Sequence, residues 1–208
     1  SSHFSDADVG DTLTYSATLA GGYALPSWLS INSTSGVLSG TPTNADIGAI
    51  DVTVTATDTN SASISDTYTL TVKNVNDTPT VSTTISDYSA YEDVAYSYDV
   101  SSHFSDADVG DTLTYSATLA GGYALPSWLS INSTSGVLSG TPTNADIGAI
   151  DVTVTATDTN SASISDTYTL TVKNVNYGPS GSVTITGDAK AGQTLTASNT
   201  LADVDGLG

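Results

Sequence analysis

Pairs of aspartates separated by one residue recur along this chain and are its strongest chemical signal. The string FSDADVGD at residues 4–11 returns unchanged at 104–111, and a related string ends the sequence. Two carboxylates at positions i and i+2, followed by a glycine turn, can point at one cation. Because Ca²⁺ prefers carboxylate and carbonyl oxygens, the pairs predict calcium ligands. They are Asp6 and Asp8, Asp106 and Asp108, and Asp203 and Asp205.

Two aspartates cannot complete a calcium site, since Ca²⁺ takes about six to eight oxygens. Further candidates lie in turns and in the junction between the repeats: Asn44, Asp46, Asp58, Asn76 and Asp77. A single pair of this kind is more often a solvated turn, and adaptation to salty surroundings would also enrich aspartate. Recurrence of the pair in three places favours the metal site over these alternatives.

The charge of the chain narrows the classes of partner. Three lysines face 22 acidic residues, which gives a formal net charge of −19, and Glu92 is the one acid that is not aspartate. Nucleic acids and anionic membranes require positive charge, so neither is an expected partner.

The sequence has no cysteine, which excludes disulfides and zinc thiolate sites. It has no apolar run long enough to cross a membrane. Together these features favour a secreted or cell-surface protein.

Alternation of apolar and polar residues predicts the fold. In IDVTVTAT at residues 50–57 the apolar side chains fall on one face and Asp or Thr on the other, as in a half-buried strand. Glycine, asparagine and proline clusters follow at about 8–12-residue spacing, which is typical of sandwiches. We therefore predict an all-β fold of tandem Greek-key β-sandwich modules.

Residues 1–76 recur letter for letter as 101–176, so the repeat has a period of 100 residues. We predict one module at 1–76 that lacks its first strand or strands, and a complete module at 77–176. Residues 177–208 are expected to open a third module or to act as a donated strand. In the second case, 177–200 of one chain would complete the first module of another, and the chains would assemble head to tail.

Several strings together resemble cadherin repeats: FSDADVGDTLTYS, LSINSTSGVL, VTVTATD and VNDTP. The string LPSWLSI, followed by LSGTP, is similar to the dystroglycan-type cadherin-like modules found in tandem in large bacterial surface adhesins. The likeness covers essentially all of 1–176 and implies that the predicted sandwich modules are cadherin-like or Ig-like. Residues 177–208 resemble the start of another repeat type from such adhesins.

The resemblance implies calcium ligands at each junction between modules. Asn76, Asp77, Asp106, Asp108 and Asp158 match the cadherin pattern at the first junction, where Asn44 and Asp46 replace an Asp and a Glu. Glu92 matches an early-strand Glu that serves the far end of its module. It would join Asn144, Asp146, Asn176, Asp203 and Asp205 at the second junction. Tyr177 stands there in place of Asp77, so weaker binding is expected. Asp6, Asp8 and Asp58 would need a preceding module.

These observations predict a calcium-rigidified structural or adhesive repeat of a large extracellular protein, bacterial by its resemblance. Its partners would be neighbouring repeats of the same or identical chains. The alternative is a carbohydrate-binding module of a secreted polysaccharide-targeting protein, which would use exposed tyrosines such as Tyr23 and Tyr123. No catalytic residue is predicted, because His3 and His103 each adjoin a serine only in sequence and such adjacency does not make a dyad in space.

Overall fold

The computed structural model describes residues 3–8 and 10–203. These residues form sixteen β-strands and three short 3-10 turns, and they contain no α-helix. The predicted all-β class is therefore confirmed. The chain divides into two compact units, one of Ser1–Asn76 with Ala107–Gly110 and the other of Asp77–Asp106 with Asp111–Gly208. The predicted boundaries of three modules stay predictions.

Five strands among the described residues build the first unit, together with the 3-10 turn η1 (Asn44–Asp46). They are β1 (Thr14–Leu19), β2 (Leu29–Ile31), β3 (Leu38–Gly40), β4 (Gly48–Thr57) and β5 (Ser63–Val72). One sheet has the order β1-β4-β5, and β2 pairs with β3 in a second sheet. All of these pairs are antiparallel.

The second unit repeats this pattern and adds strands to it. Its strands begin with β6 (Thr80–Val81), β7 (Tyr88–Tyr91), β8 (Tyr96–Asp99) and β9 (Phe104–Ser105). They continue with β10 (Thr114–Leu119), β11 (Leu129–Ile131), β12 (Val137–Gly140), β13 (Gly148–Thr157) and β14 (Ser163–Lys173). Two 3-10 turns, η2 (Ser101–His103) and η3 (Asn144–Asp146), interrupt the series. The sheets have the orders β10-β13-β14-β7, β11-β12-β8 and β6-β9, and the pair of β7 with β14 is parallel.

The predicted alternation of buried and solvent-facing side chains is found in β13. Val152, Val154 and Ala156 are buried. On the opposite face the Thr153 hydroxyl lies 2.9 Å from that of Thr167, across the pair of β13 and β14. Threonine therefore stabilises the solvent-facing side of the sheet by cross-strand contact, while valine fills the core.

The core of the second unit lies between its sheets. Leu138, Leu170 and Val152 are fully buried there, and Trp128 packs against them with part of its ring exposed. The chain approaches itself closely beside this indole: a Cβ atom built on Gly140 would lie 1.7 Å from the Trp128 carbonyl oxygen. Glycine at 140 is thus needed for the pairing of β11 with β12.

Two further strands, β15 (Val183–Thr186) and β16 (Thr196–Asn199), pair with each other as an antiparallel hairpin. Every residue of both strands is exposed. Val183 and Ile185 alternate with threonines in β15 and keep 61% and 67% of their surface accessible. One face of the hairpin is thus apolar and solvent-facing.

The buried phenols of Tyr96 and Tyr168 lie 3.1 Å apart, and burial raises the pKa of both groups. Unfolded tyrosine titrates near pH 10, so the contribution of these two groups to folding stability is constant below that pH and falls above it. We expect a loss of about 1.4 kcal/mol per pH unit for each tyrosine. Urea unfolding between pH 9 and 11 should show that Tyr96→Phe reduces this slope. Tyr23→Phe, at an exposed ring, should leave it unchanged, and an equal slope in both variants would contradict the assignment.

Candidate metal centre

The loop between β9 and β10 gathers three carboxylates. Oxygens of Asp106, Asp108 and Asp111 lie within 4.8 Å of one another. Asp108 is only 4% exposed, and the Asp111 carboxylate accepts a hydrogen bond from the Thr159 hydroxyl at 3.0 Å. Three like charges at this separation repel each other strongly unless a cation or protons compensate them.

The same loop sequence near the start of the chain forms a different group. Here oxygens of Asp6, Asp11 and Asp58 lie within 4.8 Å of one another. Asp8 is exposed and lies outside this group. Its backbone N–H donates to the Asp6 carboxylate at 2.9 Å. The Oδ2 atom of Asp11 is buried with no hydrogen-bond partner.

Asp58 and Asp158 hold the turns of the two long hairpins. The Oδ1 atom of Asp158 accepts hydrogen bonds from the backbone N–H groups of Asn160 and Ala162, both at 2.8 Å. Asp58 makes the corresponding two bonds at the same distances. Each carboxylate therefore organises the turn of its own hairpin through Oδ1.

The 3-10 turns contribute amides and carboxylates with different roles. The Asn44 side-chain amide donates to the Ala107 carbonyl at 3.0 Å and lies 3.4 Å from the Asp108 carboxylate, all within the first unit. Asp46 accepts hydrogen bonds from the Thr43 backbone N–H and hydroxyl, and these lower the pKa of its carboxyl group. Asp146 is bonded in the same way in the second unit. Both aspartates stabilise the start of their own turns.

Glu92 is the most deeply buried acid among the described residues, with 0% exposure. It follows β7, and its backbone N–H donates to the Lys173 carbonyl at the end of β14. Its Oε1 atom accepts the Val175 N–H at 2.8 Å. Its Oε2 atom is buried and has no hydrogen-bond partner. A carboxylate buried in this state is unfavourable unless a further ligand satisfies it.

Residues 1–73 and 78–173 each match the family described as "Putative Ig domain". The chain belongs to this Ig-domain family. The first match lies within the copy 1–76, and the second covers most of 77–100 together with most of the copy 101–176. Comparison with curated proteins gives no match.

Solved cadherin ectodomains are similar in fold to this Ig-domain chain. Human CDH23 EC21-23 has a TM-score of 0.57 and 17% identity, over 96% of this chain and 78% of that one. Mouse cadherin-23 EC22-24 has a TM-score of 0.55 and 22% identity, over 78% of this chain and 53% of that one. The predicted cadherin or Ig-like fold is thereby confirmed.

An endo-fucoidan hydrolase from glycoside hydrolase family 107 is 28% identical, over 80% of this chain. The match covers 24% of the hydrolase, so this chain spans about a quarter of its length. The TM-score is 0.40, which is too low to support an argument.

No helix among the described residues is long and apolar enough to cross a membrane.

The remaining predicted ligands differ in their exposure. Asn76, Asp77 and Asn176 are exposed, and Asp203 and Asn144 are half-buried. The side-chain amide of Asn176 lies 3.5 Å from the Tyr177 carbonyl. Asp205 lies outside the described residues. The assignment of these residues as calcium ligands stays a prediction.

Two aspartates of the acidic loops were missed as ligands by the sequence analysis. Asp11 and Asp111 close the strings that contain the predicted pairs, and the structure groups each with other carboxylates. The signal in the sequence is the glycine that precedes each of them. Glycine readily adopts a positive φ, which both glycines have in the structure, and this lets the chain turn back. Attention to the aspartate after the glycine would have found both.

Several aromatic and imidazole side chains of the second unit contact one another, whereas two tyrosines are exposed. The rings of Tyr88 and Tyr98 stack on each other with centroids 4.8 Å apart. The His103 ring nitrogens contact the Thr83 carbonyl at 2.9 Å and the Tyr98 hydroxyl at 3.3 Å. His103 is thus half-buried and engaged in packing. Tyr23 and Tyr123 are each 73% exposed.

The composition leaves few protein cations for these carboxylates. Three lysines face 22 acids, and Lys190 pairs with the exposed Asp188 at 3.5 Å. Glu92, Asp108 and Asp158 are the buried polar or charged residues of the described chain, and each was predicted as a ligand. Buried carboxylates need a partner charge, hydrogen bonds or a metal. An all-oxygen donor set of this kind fits Ca²⁺.

Proposed function

We propose that the chain is a calcium-rigidified structural and adhesive repeat of an extracellular protein. The observation that carries the proposal is Glu92, a fully buried carboxylate whose Oε2 atom has no hydrogen-bond partner. Its position in a cadherin-like fold is one where the resemblance implies a ligand. The buried Asp108 and Asp158 support the same assignment.

The donor chemistry favours calcium over other metals. The candidate ligands are carboxylates and amides, and the chain has no cysteine, so soft metals find no preferred ligand. Mg²⁺ demands near-ideal octahedral geometry and usually retains several waters. Clusters built from irregular loops, such as Asp106 to Asp111, suit the more flexible coordination of Ca²⁺.

The proposed role of the carboxylates is mechanical. Without a bound cation, the acidic loops repel one another and stay loose; a bound Ca²⁺ supplies the compensating positive charge. Asp106, Asp108 and Asp111 would then hold their loop in one conformation, and Glu92 would fix the segment that follows β14. Extracellular modules bind Ca²⁺ at about 10⁻⁴–10⁻³ M, which suits a secreted or surface protein. Neighbouring repeats, in the same chain or in identical chains, would be its partners.

Calcium should raise the thermal stability of the chain. We expect the unfolding temperature in about 5 mM Ca²⁺ to exceed that in excess EDTA, because each saturated site adds roughly 2.7 kcal/mol at 100 times its dissociation constant. The variant Asp106→Ala/Asp108→Ala should lose the part of this gain that comes from the site containing these two residues. Differential scanning calorimetry measures both effects.

The control variant is Asp188→Ala, which removes an exposed carboxylate outside the proposed sites and should keep the full calcium response. Magnesium at the same concentration should give a smaller shift than calcium. An identical calcium response in the double variant and in the control would refute the assignment of Asp106 and Asp108.

A further inference from the structure

The connection between β10 and β11 displays an aromatic side chain to solvent. Tyr123 keeps 73% of its surface accessible, and Tyr23 keeps the same fraction in the first unit. Both close a Gly-Gly-Tyr turn, in which Gly121 and Gly122 have positive φ. A Cβ atom built on Gly121 would lie 3.1 Å from the Tyr123 ring. The ring therefore packs against the glycine backbone, which limits its rotation while most of its surface stays open.

A cleft of about 270 Å³ lies in the same part of the second unit. It is lined by Pro126, Trp128 and residues 145–150. Trp128 is half-buried, so part of its indole faces the cleft, and Ile147 is 41% exposed beside it. The cleft is thus mostly apolar, with an aromatic ring in its wall.

The tyrosine turn and the cleft adjoin each other at the start of β13. The Ala120 N–H donates to the Asp151 carbonyl at 2.9 Å, and Asp151 directly follows the cleft residue Ile150. We call Tyr123 together with the residues that line the cleft the aromatic surface. Two aromatic side chains, five residues apart in one connection, therefore belong to one continuous surface.

The aromatic surface does not depend on strands from outside the repeat. Among the described residues, none from 77–100 lines the cleft. The first unit has the same sequence over 23–50, and its Ala20 N–H donates to the Asp51 carbonyl at the same 2.9 Å. Each copy of the repeat thus carries the residues of this surface once.

Charge indicates which partner fits the aromatic surface. Residues 112–145 contain no charged residue, in a chain with a formal net charge of −19. Two carboxylates border this neutral stretch: Asp146 accepts hydrogen bonds from Thr143, and Asp151 accepts one from Thr169. Carboxylates repel an anionic partner, but they can accept further hydrogen bonds from hydroxyl groups. The partner is therefore uncharged and carries hydroxyls.

We propose that the aromatic surface binds one or two sugar units of a neutral polysaccharide. A pyranose ring has an apolar face of C–H groups and an edge of hydroxyls, so it suits aromatic side chains bordered by a few acceptors. Tyr123 stacks on one unit and the cleft at Trp128 holds the next. Because the site recurs in each repeat, weak single sites add up along one polymer. The proposal gives the adhesive role a target and does not depend on calcium.

A basic side chain of a protein partner is the competing occupant, because a cation also suits an aromatic ring beside carboxylates. The chain carries 22 acidic residues, however, and 112–145 is the stretch that lacks them. A cation gains little by selecting this stretch over the rest of the acidic surface. An apolar cleft of about 270 Å³ fits a neutral ring better than an ammonium group.

The test is binding of the labelled full chain to an array of neutral, sulfated and uronic-acid-containing polysaccharides, in EDTA so that calcium plays no part. We expect binding to at least one neutral polysaccharide and none to the anionic ones. Affinity electrophoresis in gels that contain the bound neutral polysaccharide then gives the dissociation constants of the parent chain and its variants.

Paired substitutions test the two parts of the site at exposed positions. Tyr23→Ala/Tyr123→Ala removes both rings and should weaken binding about tenfold, whereas Tyr23→Phe/Tyr123→Phe keeps the rings and should retain most of it. Ala149 is exposed and lines the cleft, so Ala49→Gln/Ala149→Gln fills this space and should weaken binding as well. The control is Val75→Ala, at a side chain that is 80% exposed and lies outside the site; it should bind as the parent does.

Absence of binding to every neutral polysaccharide of the array would overturn the proposal. Neutral-polysaccharide binding that survives both the tyrosine-to-alanine and the cleft-filling substitutions would overturn the assigned site. Oligolysine serves as the cationic probe and should bind the parent and the tyrosine-to-alanine variant equally. Oligolysine binding that is lost in this variant, with no glycan bound by the parent, would assign the surface to a basic partner instead.

Discussion

Replacing Leu138 with alanine should destabilise the second unit by roughly 2–5 kcal/mol, because the side chain is fully buried and its removal leaves a cavity. The same substitution at Leu38 should cost much less, since that side chain is half-exposed and water can fill the space. Hydrogen exchange of β12 and β3 amides, followed in the full chain, reports the local free energy of unfolding at each site.

Leu138→Ala and Leu38→Ala form a matched pair of variants, because residues 1–76 and 101–176 are identical. Strand propensity and the neighbouring residues in sequence are therefore the same for both leucines. What remains is the tertiary cover of each leucine. The conservative variants Leu138→Met and Leu38→Met should both cost less than about 1.5 kcal/mol, which checks that volume rather than chemistry is responsible. Equal losses for the two alanine variants would show that 77–100 does not determine the burial of Leu138.

Much of the fold could be predicted, because strand formation depends on local patterns. Alternation placed Val152, Val154 and Ala156 on one face of a strand, and these residues are buried. What the local pattern could not predict is which copy of the repeat is covered. Tyr68 and Tyr168 have the same neighbours in sequence, yet one is 40% exposed and the other 2%. Burial here depends on strands that are distant in sequence.

The parallel pairing of β7 with β14 also lay beyond the sequence. Tyr88 and Leu170 are brought together by a connection across the whole module, and no turn signal sets that register. The hydrogen bond between the Ile85 N–H and the Asp166 carboxylate depends on the same pairing. Composition and spacing indicate that a strand exists near residue 88, but not which edge receives it.

The candidate site was partly foreseen through the cadherin resemblance. Glu92, Asp108 and Asp158 were predicted as ligands, and these are the polar residues that the described structure buries. Their roles differ in ways that only coordinates show: Asp158 organises its hairpin, while Glu92 keeps one oxygen without a hydrogen-bond partner. Asp46 was predicted as a ligand too, and its carboxylate accepts hydrogen bonds from the backbone N–H and the hydroxyl of Thr43.

Glu92→Gln should separate a metal ligand from a structural carboxylate, because the two roles predict opposite changes in EDTA. Glutamine keeps an oxygen that can accept the Val175 N–H but removes a charge that is fully buried. Removing an uncompensated buried charge relieves a desolvation penalty, so the variant should be at least as stable as the parent chain in EDTA. In calcium it should lose one site's contribution, roughly 2.7 kcal/mol at 100 times the dissociation constant.

The measurement is calorimetric unfolding of parent and variant in EDTA and in calcium, together with isothermal titration to count bound ions. Titration should show fewer ions in Glu92→Gln, while the exposed-site control Asp188→Asn should bind the parent's number. A variant that is destabilised in EDTA and keeps the whole calcium response would make Glu92 a structural acceptor for Val175 alone. Since the expected signs differ in the two buffers, a general loss of folding cannot imitate the predicted result.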